Sequence, residues 1–316
     1  MQWLLWLVIL AAAVLLGARW AYGKAFYYPE KRRAASAHKG AGDREDELGA
    51  MARRLIEELE ARPFEPVEIT AKDGTRLFAR YYHVRDGAPV QIQFHGYKGR
   101  GTRDFCGGNA LARKMGQNTL VVDQRSHGKS GGHTISFGVL ESRDCVCWVN
   151  YAVERFGPEA EIYLAGVSMG AATVLMAAGL ELPANVKGIV ADSSYSSPEA
   201  ILRKVSGEMG FPSGAAFWLL RLGARLYGGF DPRDASPVEA VRCTHIPILL
   251  VHGEADDFVP CDMSRQICAA CAGPVRLVTV PGAGHGLSYI VDSGRYEAEV
   301  RAFLVQCGER TRAANG

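Results

Sequence analysis

The sequence predicts an α/β fold in which a mostly parallel central sheet carries helices on both faces. Short apolar segments of strand length alternate with longer helical segments through most of the chain, which is typical of parallel sheets. Serine, acidic and histidine side chains directly follow several of these strands. Because parallel strands end at the same edge of a sheet, we expect these side chains to collect there.

Local patterns predict the individual elements. Two opening strands alternate around a turn at 72–75 and are expected to pair antiparallel, whereas the later strands are short apolar runs. The predicted strands are 67–70, 77–82, 90–94, 119–122, 162–165, 187–191, 246–251 and 275–280. The predicted helices are 48–59, 103–115, 139–156, 171–178, 200–209, 215–227, 263–272 and 289–307.

Residues 193–231 interrupt this alternation with two helices and no strand between them. The interruption predicts a small helical cap inserted over the edge of the sheet. Its apolar side chains, Trp218 among them, would either line a substrate pocket or pack on the body of the domain. The sequence leaves both interpretations open.

Length and composition are those of a globular protein with a sizeable core. The 316 residues are 48% hydrophobic and 22% charged, enough for one large α/β domain with an appendage. The net charge is +2 with both signs interspersed, which favours neither nucleic acid nor acidic substrates. We therefore expect no nucleic-acid partner.

The eight cysteines are expected to be free thiols. Most lie in apolar helical runs, where a thiol serves as a small core residue, and this favours a reducing compartment. Cys268 and Cys271 form an isolated C-x-x-C without a second pair or a histidine at ligand spacing. No metal or redox role is expected for them.

Residues 3–22 form an almost unbroken apolar run with aromatic residues at both ends, as in a single transmembrane helix. We predict that the lipid bilayer is a partner through this segment. A cleaved signal peptide is the alternative, but no Lys or Arg precedes the run. Five basic residues lie in its last turn or follow it and predict that the rest of the chain is cytoplasmic, although an outward-facing domain stays open. They are Arg19, Lys24, Lys31, Arg32 and Arg33.

These patterns divide the chain into three parts. Residues 1–23 form the transmembrane anchor, 24–62 a linker with an amphipathic helix, and 63–309 the α/β domain that includes the cap. Within the linker, 34–46 is small and polar, which is typical of a tether. The helix at 48–59 carries its apolar residues on one face and is expected to pack onto the domain.

The segment Gly-Val-Ser-Met-Gly at 166–170 predicts a nucleophile on a sharp turn. Four apolar or aromatic residues precede Gly166 and a helix-forming apolar run follows Gly170, so Ser168 lies between a strand and a helix. Such a turn strains the serine backbone and needs glycines where a Cβ would collide with neighbouring chain. The helix start also directs the N–H of Met169 toward a developing oxyanion.

A serine nucleophile needs a base and a carboxylate that orients the base. Asp256 follows one later strand and His285 the next, in the order Ser, Asp, His. The neighbouring acids Glu254 and Asp257 compete with Asp256 on position alone.

Histidines and an aspartate at other strand ends are expected to be structural. We expect them to hydrogen-bond loop backbone or to hold the glycine-rich loop at 123–132. They are His95, Asp123, His127 and His252.

Five motifs in this order resemble the α/β-hydrolase superfamily, in particular a group of membrane-anchored bacterial esterases and serine aminopeptidases. They are HGYKG at 95–99, DQRSHGKSGG at 123–132, GVSMG at 166–170, HGEADDFVP at 252–260 and GAGHG at 282–286. The resemblance covers about 63–307 and implies an α/β-hydrolase fold.

The resemblance also implies roles for individual residues. Ser168 would be the nucleophile, His285 the base and then the acid, and Asp256, the fifth residue of H-G-x-x-D, the orienting carboxylate. The N–H groups of Tyr97 and Met169 would form the oxyanion hole. Neither a metal nor an organic cofactor is implied.

The predicted function is a serine hydrolase that cleaves carboxylic esters of a small acyl substrate through an acyl-enzyme on Ser168. An aminopeptidase would share every catalytic residue and is the first alternative. A non-catalytic, membrane-tethered binding protein on the same fold is the second.

Overall fold

An eight-stranded sheet forms the centre of the computed structural model, which describes residues 2–33, 42 and 45–315. The strands are β1 Glu65–Thr70, β2 Arg76–Tyr82, β3 Val90–Phe94, β4 Asn118–Asp123, β5 Ile162–Val167, β6 Val186–Asp192, β7 Ile248–Gly253 and β8 Val275–Val280. Their order across the sheet is β1-β2-β4-β3-β5-β6-β7-β8. β2 pairs antiparallel with β1 and β4, and all later neighbours are parallel. The predicted mostly parallel sheet with two opening antiparallel strands is confirmed.

Helices cover both faces of this sheet, as predicted. The helices are α1 Gln2–Ala25, α2 Glu30–Arg33, α3 Glu47–Glu60, α4 Gly101–Asp104, α5 Cys106–Lys114, α6 Glu141–Phe156, α7 Met169–Ala177, α8 Pro198–Glu208, α9 Ser213–Gly223, α10 Pro237–Ala240, α11 Cys261–Ala270, α12 Ser288–Val291 and α13 Ser293–Asn315. One core cluster joins the sheet to α6, α7 and α11, and another joins it to α3, α5 and α13. The central strands are buried on both faces, which explains their continuous apolar sequence.

Two predicted helices are split in the structure. The helix expected at 103–115 divides at Phe105, whose ring is buried and whose backbone leaves the helical region just before two glycines. The helix expected at 289–307 divides at Asp292, where Oδ1 accepts the N–H of Arg295 at 3.0 Å. A side chain that caps a new helix start in this way competes with continuation of the preceding helix.

The cap consists of α8, α9 and a π-helical turn at Ala224–Gly228. The predicted helix at 215–227 is therefore α-helical only as far as Gly223. Just beyond the turn, the buried carboxylate of Asp231 accepts charge-assisted hydrogen bonds from Arg221 and Arg225. These contacts hold the last residues of the cap against α9 and the π-helical turn.

The first helix has 24 residues and is long and apolar enough to cross a membrane, with a mean hydropathy of 2.1 over an 18-residue stretch. A signal sequence would share these properties. Most side chains of 2–16 are exposed, whereas Ala18, Ala21 and Tyr22 are buried against the rest of the protein. Only the C-terminal part of α1 therefore packs on the folded domain.

Residues 22–28, called here the N-terminal strap, are built into the domain. The N–H of Tyr28 donates to the carbonyl of His133, and the N–H of Ile135 donates to the carbonyl of Phe26. Phe26 is fully buried between Phe137 and Phe230. The structure thus places in the core a segment that the sequence analysis divided between anchor and linker. Most of the predicted tether at 34–46 lies outside the described residues.

Phe26→Ala should lower the free energy of unfolding by about 3–5 kcal/mol, because truncating a buried aromatic ring leaves a cavity. Urea unfolding of the full chain in detergent measures the change. Leu180→Ala is the control, since Leu180 is 43% exposed. An equal, small effect of both substitutions would show that the N-terminal strap is not part of the cooperative core.

Candidate active site

Ser168 lies in a strained turn between β5 and α7, with φ 57° and ψ −118°. Two close approaches impose this geometry. A Cβ on Gly170 would lie 1.7 Å from the carbonyl oxygen of Phe94, and one on Gly166 would lie 2.2 Å from the carbonyl oxygen of Gly170. Only glycine fits at both positions, so the backbone between them turns sharply and leaves the serine hydroxyl at the sheet edge.

The structure brings Ser168, His285 and Asp256 into one hydrogen-bonded series. The Nε2 atom of His285 lies 2.8 Å from the Oγ atom of Ser168, and its Nδ1 atom lies 2.7 Å from Oδ2 of Asp256. An ionised carboxylate can only accept, so Nδ1 donates and Nε2 is left to accept the serine proton. The arrangement can therefore deprotonate a serine hydroxyl.

Asp256 is held as an anion by its surroundings. Burial alone would raise its pKa, but hydrogen bonds from His252, His285 and the N–H of Val259 outweigh burial and hold the pKa well below its usual range. Oδ1 also accepts the N–H of Phe258 at 3.0 Å. The carboxylate is thus ionised at neutral pH and fixed in orientation.

The loops that carry Asp256 and His285 approach each other very closely. A Cβ on Gly253 would lie 2.2 Å from the carbonyl oxygen of Ala283, so glycine permits this contact. Next to Gly253, the Nε2 atom of His252 lies 2.8 Å from the carbonyl oxygen of Val259, and the Nδ1 atom of His252 lies 2.6 Å from the Oγ atom of Ser264. His252 bonds loop backbone, as predicted.

The acids that compete with Asp256 by position point elsewhere. Glu254 accepts a hydrogen bond from Thr279 at 2.7 Å, and both Glu254 and Asp257 are exposed. Of the three acids in this loop, Asp256 is the one that contacts His285.

The loop after β3 lies directly against the serine. A Cβ on Gly96 would be 3.3 Å from the Cβ of Ser168, and the N–H of Gly96 donates to Asp104. The next residue, Tyr97, stacks its ring on Phe137 and donates its hydroxyl to the carbonyl of Ala25 at 2.7 Å. The N-terminal strap thus supports the loop that carries one of the two candidate oxyanion donors.

The second candidate donor is the N–H of Met169. This residue begins α7, so its N–H has no carbonyl one turn earlier in the helix to bond. The helix dipole adds a partial positive charge at the same place. An anion formed beside Ser168 would be stabilised there.

The remaining polar residues of these loops are structural, as predicted. The Nε2 atom of His95 accepts the N–H of Gln124, and that of His127 accepts the N–H of Lys98. Asp123 accepts the N–H of Lys129 in the glycine-rich loop. These bonds hold the loops after β3 and β4 together.

Sequence reasoning missed Asp192, which supports the His285 loop from behind. Its buried carboxylate accepts hydrogen bonds from Ser193 and Ser288, and Ser193 in turn accepts the N–H of Gly286. Burial raises the pKa of Asp192. The position of this acid at the C-terminal end of β6 is the one feature of the sequence that could have indicated it.

A cavity of about 150 Å³ opens beside Ser168 and His285. Phe105, Tyr289 and Ile290 supply much of its apolar wall. A Cβ on Gly107 would lie 2.1 Å from the Tyr289 ring, so glycine allows α5 to approach α12 here. No described residue of the cap lines this cavity, whereas the cap helices pack on the body and on α1. Packing is therefore the interpretation of the cap that the structure supports.

The eight cysteines are present as thiols rather than disulfides, as predicted. Burial raises the pKa of Cys106, which borders the cavity, to about 11. Its thiol stays protonated at neutral pH. Among the residues that the structure describes, no group of three or more His, Cys, Asp or Glu side chains is arranged to hold a metal ion.

Similar proteins share this fold. The alpha/beta hydrolase fold family matches residues 92–211, and a family described as TAP-like protein matches 229–313. The uncharacterized protein YqkD of Bacillus subtilis is 28% identical over 62% of this chain and 65% of its own length, just under two thirds. The esterase LipC of Mycobacterium tuberculosis is 26% identical over 62% of this chain and 51% of its own. The solved esterase Pf2001 of Pyrococcus furiosus is 21% identical, with a TM-score of 0.63 over 79% of this chain and 93% of its own.

The lowered pKa of Asp256 predicts how the free energy of unfolding depends on pH. A carboxyl group whose pKa is lower in the folded than in the unfolded chain stabilises the fold above the unfolded value, about 4, and loses that contribution as the pH falls. We expect the free energy of unfolding to drop below about pH 4, and to drop less in Asp256→Asn. Urea titrations at a series of pH values measure both slopes, and equal slopes would contradict the lowered pKa.

Proposed function

The chain belongs to the α/β-hydrolase superfamily, and from this premise we propose that it is a serine hydrolase that cleaves carboxylic esters through an acyl-enzyme on Ser168. The observation that supports the proposal most directly is the pair of hydrogen bonds that joins Ser168 to His285 and His285 to Asp256. The names of two similar proteins, LipC and Pf2001, describe esterases.

In the proposed reaction, the Oγ atom of Ser168 attacks the ester carbonyl while Nε2 of His285 takes the hydroxyl proton. The N–H groups of Tyr97 and Met169 donate to the oxyanion. His285 returns the proton to the leaving alkoxide, and the alcohol departs. A water then gives a proton to His285 and attacks the acyl-enzyme, which releases the acid and restores Ser168. The ionised Asp256 stabilises His285 each time it is charged.

An ester is favoured over a peptide with a free amino terminus. An aminopeptidase would need an anionic group to hold the substrate ammonium. The two carboxylates at the cavity other than Asp256 are already engaged, since Asp104 bonds Arg103 and Gly96, and Asp192 bonds two serines. Moving either to an ammonium would break hydrogen bonds that hold the site.

We further propose that α1 remains in the mature protein as a single-pass membrane anchor. Its 24-residue apolar length and the exposure of its first turns support this role. The basic residues at and after its C-terminal end, together with eight cysteines that are thiols rather than disulfides, favour a cytoplasmic catalytic domain.

Ser168→Ala should reduce kcat for ester hydrolysis by a factor of about 10⁴ or more, because no other group replaces the nucleophile. The assay is hydrolysis of p-nitrophenyl esters from acetate to palmitate by the full chain in detergent. Ser213→Ala, at an exposed serine that begins α9, is the control.

Labelling with a fluorophosphonate probe separates the alternatives. Ser168-dependent labelling without turnover of any ester would favour an amide substrate. A folded protein that neither reacts with the probe nor turns over esters would be a binding protein, which would refute the hydrolase proposal.

The cavity predicts a preference for short acyl groups. A cavity of about 150 Å³ can hold a group of roughly benzene size, so turnover should decline for chains longer than about six carbons. Tyr289→Ala removes part of the wall and should raise the ratio of kcat/KM for octanoate to that for butanoate. Tyr151→Ala, at a half-buried tyrosine of α6 outside the cavity, is the control. An unchanged ratio in Tyr289→Ala would show that acyl chains bind elsewhere.

A further inference from the structure

The last turns of α1 and the cap helix α9 are in backbone contact. A Cβ on Gly223 would lie 2.3 Å from the carbonyl oxygen of Ala18 and 3.1 Å from the Cβ of Tyr22. One turn earlier, Leu219 lies against Gly17. Small residues on both helices permit this approach, as they do between helices within membranes.

These contacts give the level of α9 along α1. Leu219 lies beside Gly17, and Gly223 lies beside Ala18 and Tyr22. The segment before α9 reaches Trp20 through Phe211, and the π-helical turn after it reaches Tyr22 through Tyr227. Trp218, which directly precedes Leu219, lies at the level of Gly17 along α1.

The exposed part of α1 that the structure describes, residues 2–16, is shorter than the hydrocarbon core of a bilayer is thick. Residues 2–16 rise roughly 22 Å at ~1.5 Å per residue. The hydrocarbon core of a bilayer is about 30 Å thick, so about five more residues are needed. Those residues, from Gly17 to about Tyr22, are the ones that pack on α9. If α1 spans the membrane, the part of α9 at this level must enter it.

The cap presents apolar side chains beside this contact. Trp218 is 53% exposed and Phe211 is 44% exposed, and the Phe211 ring contacts that of Trp20. The exposed apolar side chains of the cap, called here the apolar cap face, are Met209, Phe211, Trp218, Leu226 and Tyr227.

Basic and aromatic groups border the same region. The guanidinium of Arg19 lies 5.4–5.9 Å from the ring centres of Tyr22, Tyr27 and Tyr227, and the ammonium of Lys24 lies 5.9 Å from that of Trp20. Aromatic rings with Lys and Arg are typical of the layer between lipid chains and water.

We propose that the apolar cap face is embedded in the bilayer that α1 spans, with Trp218 at the depth of Gly17. The partner is the phospholipid bilayer itself. Because Lys204 of α8 donates to the carbonyl of Asp257, the embedded cap is also bonded to the loop that carries Asp256. This proposal depends on the anchor role of α1 but not on the esterase activity.

The test uses the full chain in phospholipid nanodiscs. The emission of Trp218 is obtained as the difference between the protein and Trp218→Phe, a substitution that keeps an apolar ring. We expect lipids brominated on their acyl chains to quench this difference, and aqueous iodide to leave it unquenched. Val305→Trp is the matched control, because Val305 is 53% exposed on α13 and should respond to iodide only.

Three outcomes would overturn the proposal. Quenching of Trp218 by iodide would place the apolar cap face in water, and quenching by neither reagent would show that protein, such as a second copy of the chain, covers it. The Trp218→Phe protein still contains Trp3, Trp6, Trp20 and Trp148. Bromolipid quenching of the part of its emission that is lost when Trp3 and Trp6 are also changed to Phe reports the insertion of α1 separately. If those residues are not quenched, or if mass spectrometry shows that the mature chain lacks α1, then α1 is not a membrane anchor. The proposal that the apolar cap face is embedded is then refuted as well.

Discussion

The contact between the end of β3 and the start of α7 is the constraint on which the site depends. Gly170 lies so close to the carbonyl of Phe94 that no side chain fits between them, and Ser168 is held at a positive φ as a result. The direction of the serine hydroxyl follows from this turn. The same contact brings the loop after β3, with Gly96 and Tyr97, against the serine. Nucleophile and candidate oxyanion donor are therefore positioned by one packing contact.

The positions of Asp256 and His285 depend on a second close backbone contact, between the loops after β7 and β8. Gly253 meets the carbonyl of Ala283 where a Cβ would collide, which holds Asp256 within hydrogen-bond distance of His285. Asp192 then bonds the serines on the far side of the His285 loop. The imidazole of His285 is hydrogen-bonded to Asp256, and its loop is held through Gly286 and Ser288, which is the rigidity that a candidate base requires.

The N-terminal segment and the cap form one unit with the domain. Tyr97 bonds the carbonyl of Ala25, Phe26 lies in the core, and α9 packs on α1. The end of the helix proposed as the anchor is thus continuous with the support of the candidate oxyanion loop. The apolar wall of the cavity beside Ser168 is formed instead largely by Phe105 and α12. The cap and this wall are therefore different parts of the molecule.

The sequence by itself determined the architecture and the candidate groups, because both are encoded locally. Strand and helix periods predicted the parallel sheet, and glycines at 166 and 170 predicted the turn that carries Ser168. Chain order placed the candidate acid after β7 and the candidate base, His285, after β8, and the resemblance to the α/β-hydrolase superfamily selected Asp256 among the three acids of its loop. Only the tertiary structure revealed the N-terminal strap, the support from Asp192 and the lining of the cavity. These features join residues far apart in the chain, such as Tyr22 and Thr134, which are 112 positions apart. Periodicity carries no information about such pairs, since the folding of the whole sheet decides which distant segments meet.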